Sequence, residues 1–217
     1  MPLDAIVAMP GAVCWLLCYL MILRRARLDQ AYGMPLVALA GNICWELLFG
    51  FIDPDQAPMD TVNKIWFLVD LGLLWQILRY GRAEHERRWP AGSFLPLVAG
   101  TLLLAFGIVL GVHLEFDDSD GRYTGWGINV LMSACFIQML LTRGSSAGQT
   151  VWIALSKLLG TLSFDLAQFI KTPSWPAEGL GPLMTTLYLG SLALDMVYLG
   201  LLVRQLRKEG KNLWTRW

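Results

Sequence analysis

Glu46 stands inside the run Gly41-Asn42-Ile43-Cys44-Trp45-Glu46-Leu47-Leu48-Phe49-Gly50-Phe51, a carboxyl group among apolar neighbours. The hydrophobic segment around it is about nineteen residues long, enough to cross ~30 Å of hydrocarbon. Ionising an acid at that depth costs at least ~2.5–3.5 kcal/mol on insertion scales, so an intramembrane acid marks a candidate site. At helical spacing Asn42, Trp45, Glu46 and Phe49 share one face, which sets an amide, an acid and two rings side by side.

Four more ionisable groups fall inside apolar segments: Asp70, Lys157, Asp165 and Asp195. At about 1.5 Å per residue, Glu46, Asp70 and Asp165 lie roughly 8–12 Å below one surface. Asp195 is deeper, level with Lys157 on a neighbouring antiparallel segment, so these two can pair. The spacing suggests an acid that holds a proton at Glu46 and a carboxylate that stays charged at Asp195. Asp70 and Asp165 also suit plain hydrogen bonding between helices. Asp195 shares its face with Tyr188, Ser191 and Tyr198, and Trp66 shares one with Asp70. Aromatic faces stabilise a desolvated cation by ~0.5–2 kcal/mol each, and packing is their alternative use.

The elements that position these groups are hydrophobic helices. The chain has 217 residues, 55% of them apolar, with ten Trp and no formal net charge, a composition of integral membrane proteins. Seven segments emerge at roughly 5–23, 34–52, 63–79, 94–113, 124–142, 149–170 and 182–204. Their short connections imply a single all-α domain over residues 1–217, a seven-transmembrane helix bundle. Arg24, Arg25 and Arg27 follow segment one, Arg79, Arg82, Arg87 and Arg88 segment three, Arg143 segment five, and Arg204, Arg207, Lys208, Lys211 and Arg216 segment seven. The opposite loops carry Asp53, Asp55, Asp60, Glu115, Asp117, Asp118 and Asp120. This bias places the N-terminus outside or in the lumen and the C-terminus in the cytosol. The membrane is the cell membrane in a bacterium and the endoplasmic reticulum in a eukaryote. Trp89, Trp175, Trp214 and Trp217 lie near segment ends, as interfacial anchors do.

Gly41-Asn42-Ile43-Cys44-Trp45-Glu46-Leu47 aligns with Gly160-Thr161-Leu162-Ser163-Phe164-Asp165-Leu166, and Leu71-Gly72-Leu73-Leu74 with Leu199-Gly200-Leu201-Leu202. The match suggests a 3+1+3 parallel repeat with segment four as linker. In that linker Gly107 and Gly111 are expected to admit a close helix.

Other chemistries find little support. No glycine-rich phosphate loop and no His-Glu-x-x-His occurs, and the chain has two histidines, so no histidine-built metal centre and no cofactor is expected. The lysines and arginines form no patch for nucleic acid. Cys14, Cys18, Cys44 and Cys135 fall inside segments as packing residues. Asp117-Asp118-Ser119-Asp120 reads as a hydrated loop. The N-terminus lacks the basic region and cleavage site of a signal peptide.

Seven segments in this length, Asn-x-x-Trp-Glu in segment two and Leu-Asp-x-x-Tyr in segment seven resemble the integral membrane terpene cyclases of meroterpenoid and indole-diterpenoid pathways, including small bacterial members acting on prenylated peptides. The resemblance implies an isomerase that needs no metal, with Glu46 and Asp195 essential. It implies protonation of an epoxide or terminal alkene of a lipophilic prenylated substrate, carbocation ring closure, and a final deprotonation. Trp45, Phe49, Trp66, Tyr188 and Tyr198 would then wall a cavity, with Asp70, Asp165, Lys157 and Asn42 in support. The possible repeat and the buried acids also fit a small-solute or proton-coupled transporter.

Overall fold

Seven helices follow one another in the computed structural model, which describes residues 3–171 and 181–217 and has no strand among them. They are α1 (Leu3–Asp29), α2 (Leu36–Ile52), α3 (Met59–His85), α4 (Phe94–Glu115), α5 (Arg122–Arg143), α6 (Val151–Lys171) and α7 (Pro182–Lys208). Each expected segment coincides with one helix. Six are long and apolar enough to cross a membrane, and α2, which carries Glu46, is the short one. Most run beyond the apolar stretches because a helix keeps its backbone hydrogen bonds while its side chains turn polar. Trp175 lies outside the described residues.

Two helices widen. The last five residues of α2, Leu48–Ile52, and residues Ile77–Gly81 of α3 wind as π-helix. Such turns are rare and recur at functional sites. The one in α2 begins two residues after Glu46. No sequence period announced either.

Helix α1 packs along α6 and touches α3; α2 packs on α3, α4 and α5; α7 packs on α5 and α6. Trp15, Cys18, Tyr19, Ile22 and Ala26 form the buried stripe of α1, at the spacing of one helix face. The α1–α6 crossing is close because α6 has no side chain at Gly160. A Cβ there would stand 2.7 Å from the Trp15 ring, and one at Gly11 would stand 3.1 Å from the Gly160 carbonyl. At the α2–α5 crossing, Gly41 leaves room for Ile128, 3.3 Å from where its Cβ would be.

Helix α4 corrects one expectation. Gly107 and Gly111 have nothing within 4 Å of a hypothetical Cβ. The helix touches the bundle through Phe94, Val98 and Val109, while Leu103 and Leu104 are 75% and 66% exposed. Its glycines therefore admit no helix.

The loops at the α1 start hold a second correction. Asp118 is buried rather than hydrated: Oδ1 accepts the Tyr123 amide at 2.8 Å, and Oδ2 accepts the Thr124 amide at 2.9 Å and its hydroxyl at 2.7 Å. It satisfies first-turn donors of α5, as capping side chains do. At the opposite end Glu209 accepts the Ser146 amide at 2.7 Å and the Ser146 hydroxyl at 2.5 Å, tying the α7 terminus to the α5–α6 loop. Burial works against its charge, but bonds from Lys211, Ser146 and Gln205 prevail and hold its carboxyl at about 2.

Candidate active site

A cavity of about 720 Å³ enters the bundle from the end that holds the start of α1, the α2–α3 loop and the α4–α5 loop. Its mouth includes Asp4, Asp55 and Asp120, and deeper lining residues include Tyr19, Met132 and Thr161. Burial and neighbouring aspartates raise the Asp55 carboxyl to about 6, against the Asn63 amide, which donates to it at 2.8 Å.

Aromatic rings make much of the wall: Trp15, Trp45, Trp66, Trp126 and Phe164. Trp45 is fixed by its indole N–H, which lies 3.0 Å from the Thr124 hydroxyl and 3.2 Å from the Gly121 carbonyl. Gly121, at φ 62°, lies so near this ring that a Cβ would come within 2.8 Å of it. Trp126 donates its indole N–H to Asp165 Oδ1 at 2.6 Å. Two indoles are thus anchored at their polar edges while lining the cavity.

Behind this lining lie two polar clusters. In the first, Asn42 Nδ2 is 2.9 Å from the Tyr19 hydroxyl, 2.7 Å from Glu46 Oε1 and 2.8 Å from Asp70 Oδ2. Tyr19 and Asn42 reach the cavity, while Glu46 and Asp70, 1% and 0% exposed, stand one layer behind. In the second, Lys157 Nζ donates to Asp195 Oδ1 at 2.6 Å, Ser133 Oγ at 2.7 Å and Asn129 Oδ1 at 3.1 Å, and lies 5.3 Å from the centre of the Trp15 ring. The Thr161 hydroxyl donates to Asp195 Oδ2 at 3.2 Å. Asn129 and Thr161 present this cluster to the cavity.

The structure therefore joins Glu46, Asp70 and Asn42 in one group and Lys157 and Asp195 in another. Asp165 stands apart with Trp126. Trp45 and Trp66 reach the cavity. Phe49, Tyr188 and Tyr198 do not line it. Phe49 is fully buried behind Trp45, with ring centres 5.0 Å apart. Tyr188 packs against Trp126 and Phe169, at 5.1 and 5.7 Å. Tyr198 packs on Phe136 at 5.3 Å, and its hydroxyl donates to Gln149. A shared face with an acid identified buried rings, but periodicity does not separate a packed interface from a cavity wall.

Sequence reasoning missed Trp15, Tyr19, Trp126 and Asn129. Trp15 and Tyr19 are four residues apart, as are Asn129 and Ser133, and such polar or aromatic pairs within apolar segments were available signals. Among the described residues, no three His, Cys, Asp or Glu side chains converge as metal ligands.

Residues 2–208 match the family model of the Pyr4-like transmembrane terpene cyclases. Terpene cyclase macJ of Penicillium terrestre is 32% identical over 218 residues, covering 95% of this chain and 83% of that protein. Terpene cyclase pyr4 of Aspergillus fumigatus is 25% identical over 91% of this chain and 85% of its own length. Asnovolin H synthase nvfL of Aspergillus novofumigatus is 28% identical over 78% and 73%. No solved structure matches.

Proposed function

The chain belongs to the Pyr4-like transmembrane terpene cyclases, and on that premise we propose that it protonates a lipophilic prenylated substrate and guides ring closure of the resulting carbocation. The observation that carries this reading is the aromatic-walled cavity with buried carboxyl groups one layer behind a wall of Asn42 and Tyr19. Glu46 supplies the proton past Asn42 to a terminal alkene carbon or an epoxide oxygen. The cation then migrates along the chain as rings close, beside indole faces that stabilise it by ~0.5–2 kcal/mol each. Exclusion of water keeps it from being quenched.

The final proton passes to the Thr161 hydroxyl oxygen as that hydroxyl's own proton moves to Asp195. Lys157 keeps Asp195 charged until then. One proton enters and one leaves, so substrate and product are isomers, and protonation needs no metal. Between turnovers Asp195 gives up its proton through Thr161 to solvent in the open cavity, and solvent returns one to Glu46. If the arginine-rich loops face the cytosol, as their charge bias suggests, the N-terminus and the cavity mouth face outside or the lumen, and the C-terminus the cytosol.

The helix pairing supports a parallel repeat. Contacts α1–α3, α2–α3 and α1–α6 have the counterparts α5–α7, α6–α7 and α5–α2, leaving α4 as the linker. Such symmetry also suits a transporter. The test therefore uses purified protein with farnesylated or geranylgeranylated aromatic compounds. A new product of unchanged mass, formed equally well with a chelator present, supports the reading. Proton uptake into vesicles without substrate, and no product, points to transport.

A further inference from the structure

Glu46 Oε1 and Asp70 Oδ2 share one donor, Asn42 Nδ2, at 2.7 and 2.8 Å, which sets the two buried carboxyl groups side by side. Ionised carboxylates only accept hydrogen bonds, so two of them side by side can bond each other only if one carries a proton. The surrounding donors do not replace that proton. Asn42 Nδ2 has two hydrogens for three oxygens within 2.9 Å, and Glu46 Oε2 and Asp70 Oδ1 are buried with no donor partner. Among the described residues, no lysine or arginine hydrogen-bonds to either acid. An unpaired buried oxygen costs ~1–3 kcal/mol, and two adjacent buried carboxylates would repel strongly.

We propose that Asp70 is a positioning residue for the acid: its protonated carboxyl donates a hydrogen bond to Glu46, and so stabilises the carboxylate left when Glu46 gives its proton away. The proposal rests on Glu46 being the proton donor. The step balances without another reactant. The Glu46 O–H bond breaks, the substrate gains the proton, Asp70 keeps its own, and the new carboxylate is held by Asp70 O–H and Asn42 N–H. Charge-assisted bonds of this kind are about twice as strong as neutral ones. Proton donation thus strengthens the bond from Asp70, which makes Glu46 a better acid than burial alone would allow.

Infrared spectra of the full-length protein in detergent, without substrate, read the pair directly. Glu46→Gln identifies the Glu46 carbonyl band by its loss. Asp70→Asn, nearly isosteric, is expected to remove a second band and to shift that of Glu46. A Glu46 band unmoved in Asp70→Asn, with thermal unfolding like wild type, overturns the proposal. In turnover, Asp70→Leu is expected to lose about 10²-fold or more, and Asp70→Asn to recover part of this through its amide N–H. Equal rates in the two variants also overturn it. The spectra need no reaction, so wild-type protein that shows coupled bands but makes no product refutes the cyclase reading alone.

Discussion

The two polar clusters behind the cavity lie in the same bundle and differ in their supply of donors. Around Asp195, Lys157 and Thr161 occupy both carboxylate oxygens, and the lysine's other partners are Asn129 and Ser133. Around Glu46, one amide serves two carboxyls and a phenol, and an oxygen of each acid is left without a donor. The first cluster is satisfied and holds its charges in place. The second is short of donors and, on the proposed mechanism, keeps a proton that it can release. Buried charge is tolerated where it is paired, and reactive where it is not.

The largest expected effect comes from removing that proton. Glu46→Gln should keep the fold and lower the cyclisation rate by about 10²–10⁴-fold, measured as product formed under single-turnover conditions. Next is the paired side. Asp195→Asn leaves Lys157 buried without its counter-ion and should destabilise the protein by about 3–5 kcal/mol, followed by thermal unfolding in detergent. The double variant Lys157→Met/Asp195→Leu should restore most of that stability but no activity. This would separate the structural share of Asp195 from its chemical one.

Gly160→Ala tests whether the paired cluster depends on its roof. The added methyl would meet the Trp15 ring, which lies over Lys157, and should cost about 1–3 kcal/mol. Gly125→Ala, whose Cβ would sit 3.5 Å from Trp45, should cost less. The smallest effect lies at the mouth. Asp55 titrates near 6, above its ordinary 3.8, so the folded state holds this proton more tightly than the unfolded state. Its contribution to stability therefore falls as pH rises from about 4 to 6. Asp55→Asn should remove that slope, gaining at most about 1 kcal/mol above pH 6 because the group is only partly buried.

Much of this was legible in the sequence. Helix number followed from apolar runs, and the Lys157–Asp195 pair followed from counting depth on antiparallel neighbours. The group of Glu46, Asp70 and Asn42 was only half legible. A shared helix face predicted Asn42 beside Glu46, whereas Asp70 joins through α2–α3 packing, which has no local code. The π-turn after Glu46 and the outward glycines of α4 depend on the same packing. Tyr188 and Tyr198 show the limit from the other side, since a face buried against helices and a face lining a cavity have the same period.

The sharpest question is whether Glu46 or its echo in the possible repeat, Asp165, supplies the proton. Asp165 is buried and also has one oxygen without a donor, while the Trp126 indole holds the other. Single-turnover cyclisation by Glu46→Gln and Asp165→Asn, each checked for wild-type unfolding, decides between them. The donor-poor cluster predicts cyclisation slowed by about 10²–10⁴-fold in Glu46→Gln and near the wild-type rate in Asp165→Asn. Product from Glu46→Gln at the wild-type rate, with none from Asp165→Asn, would contradict it.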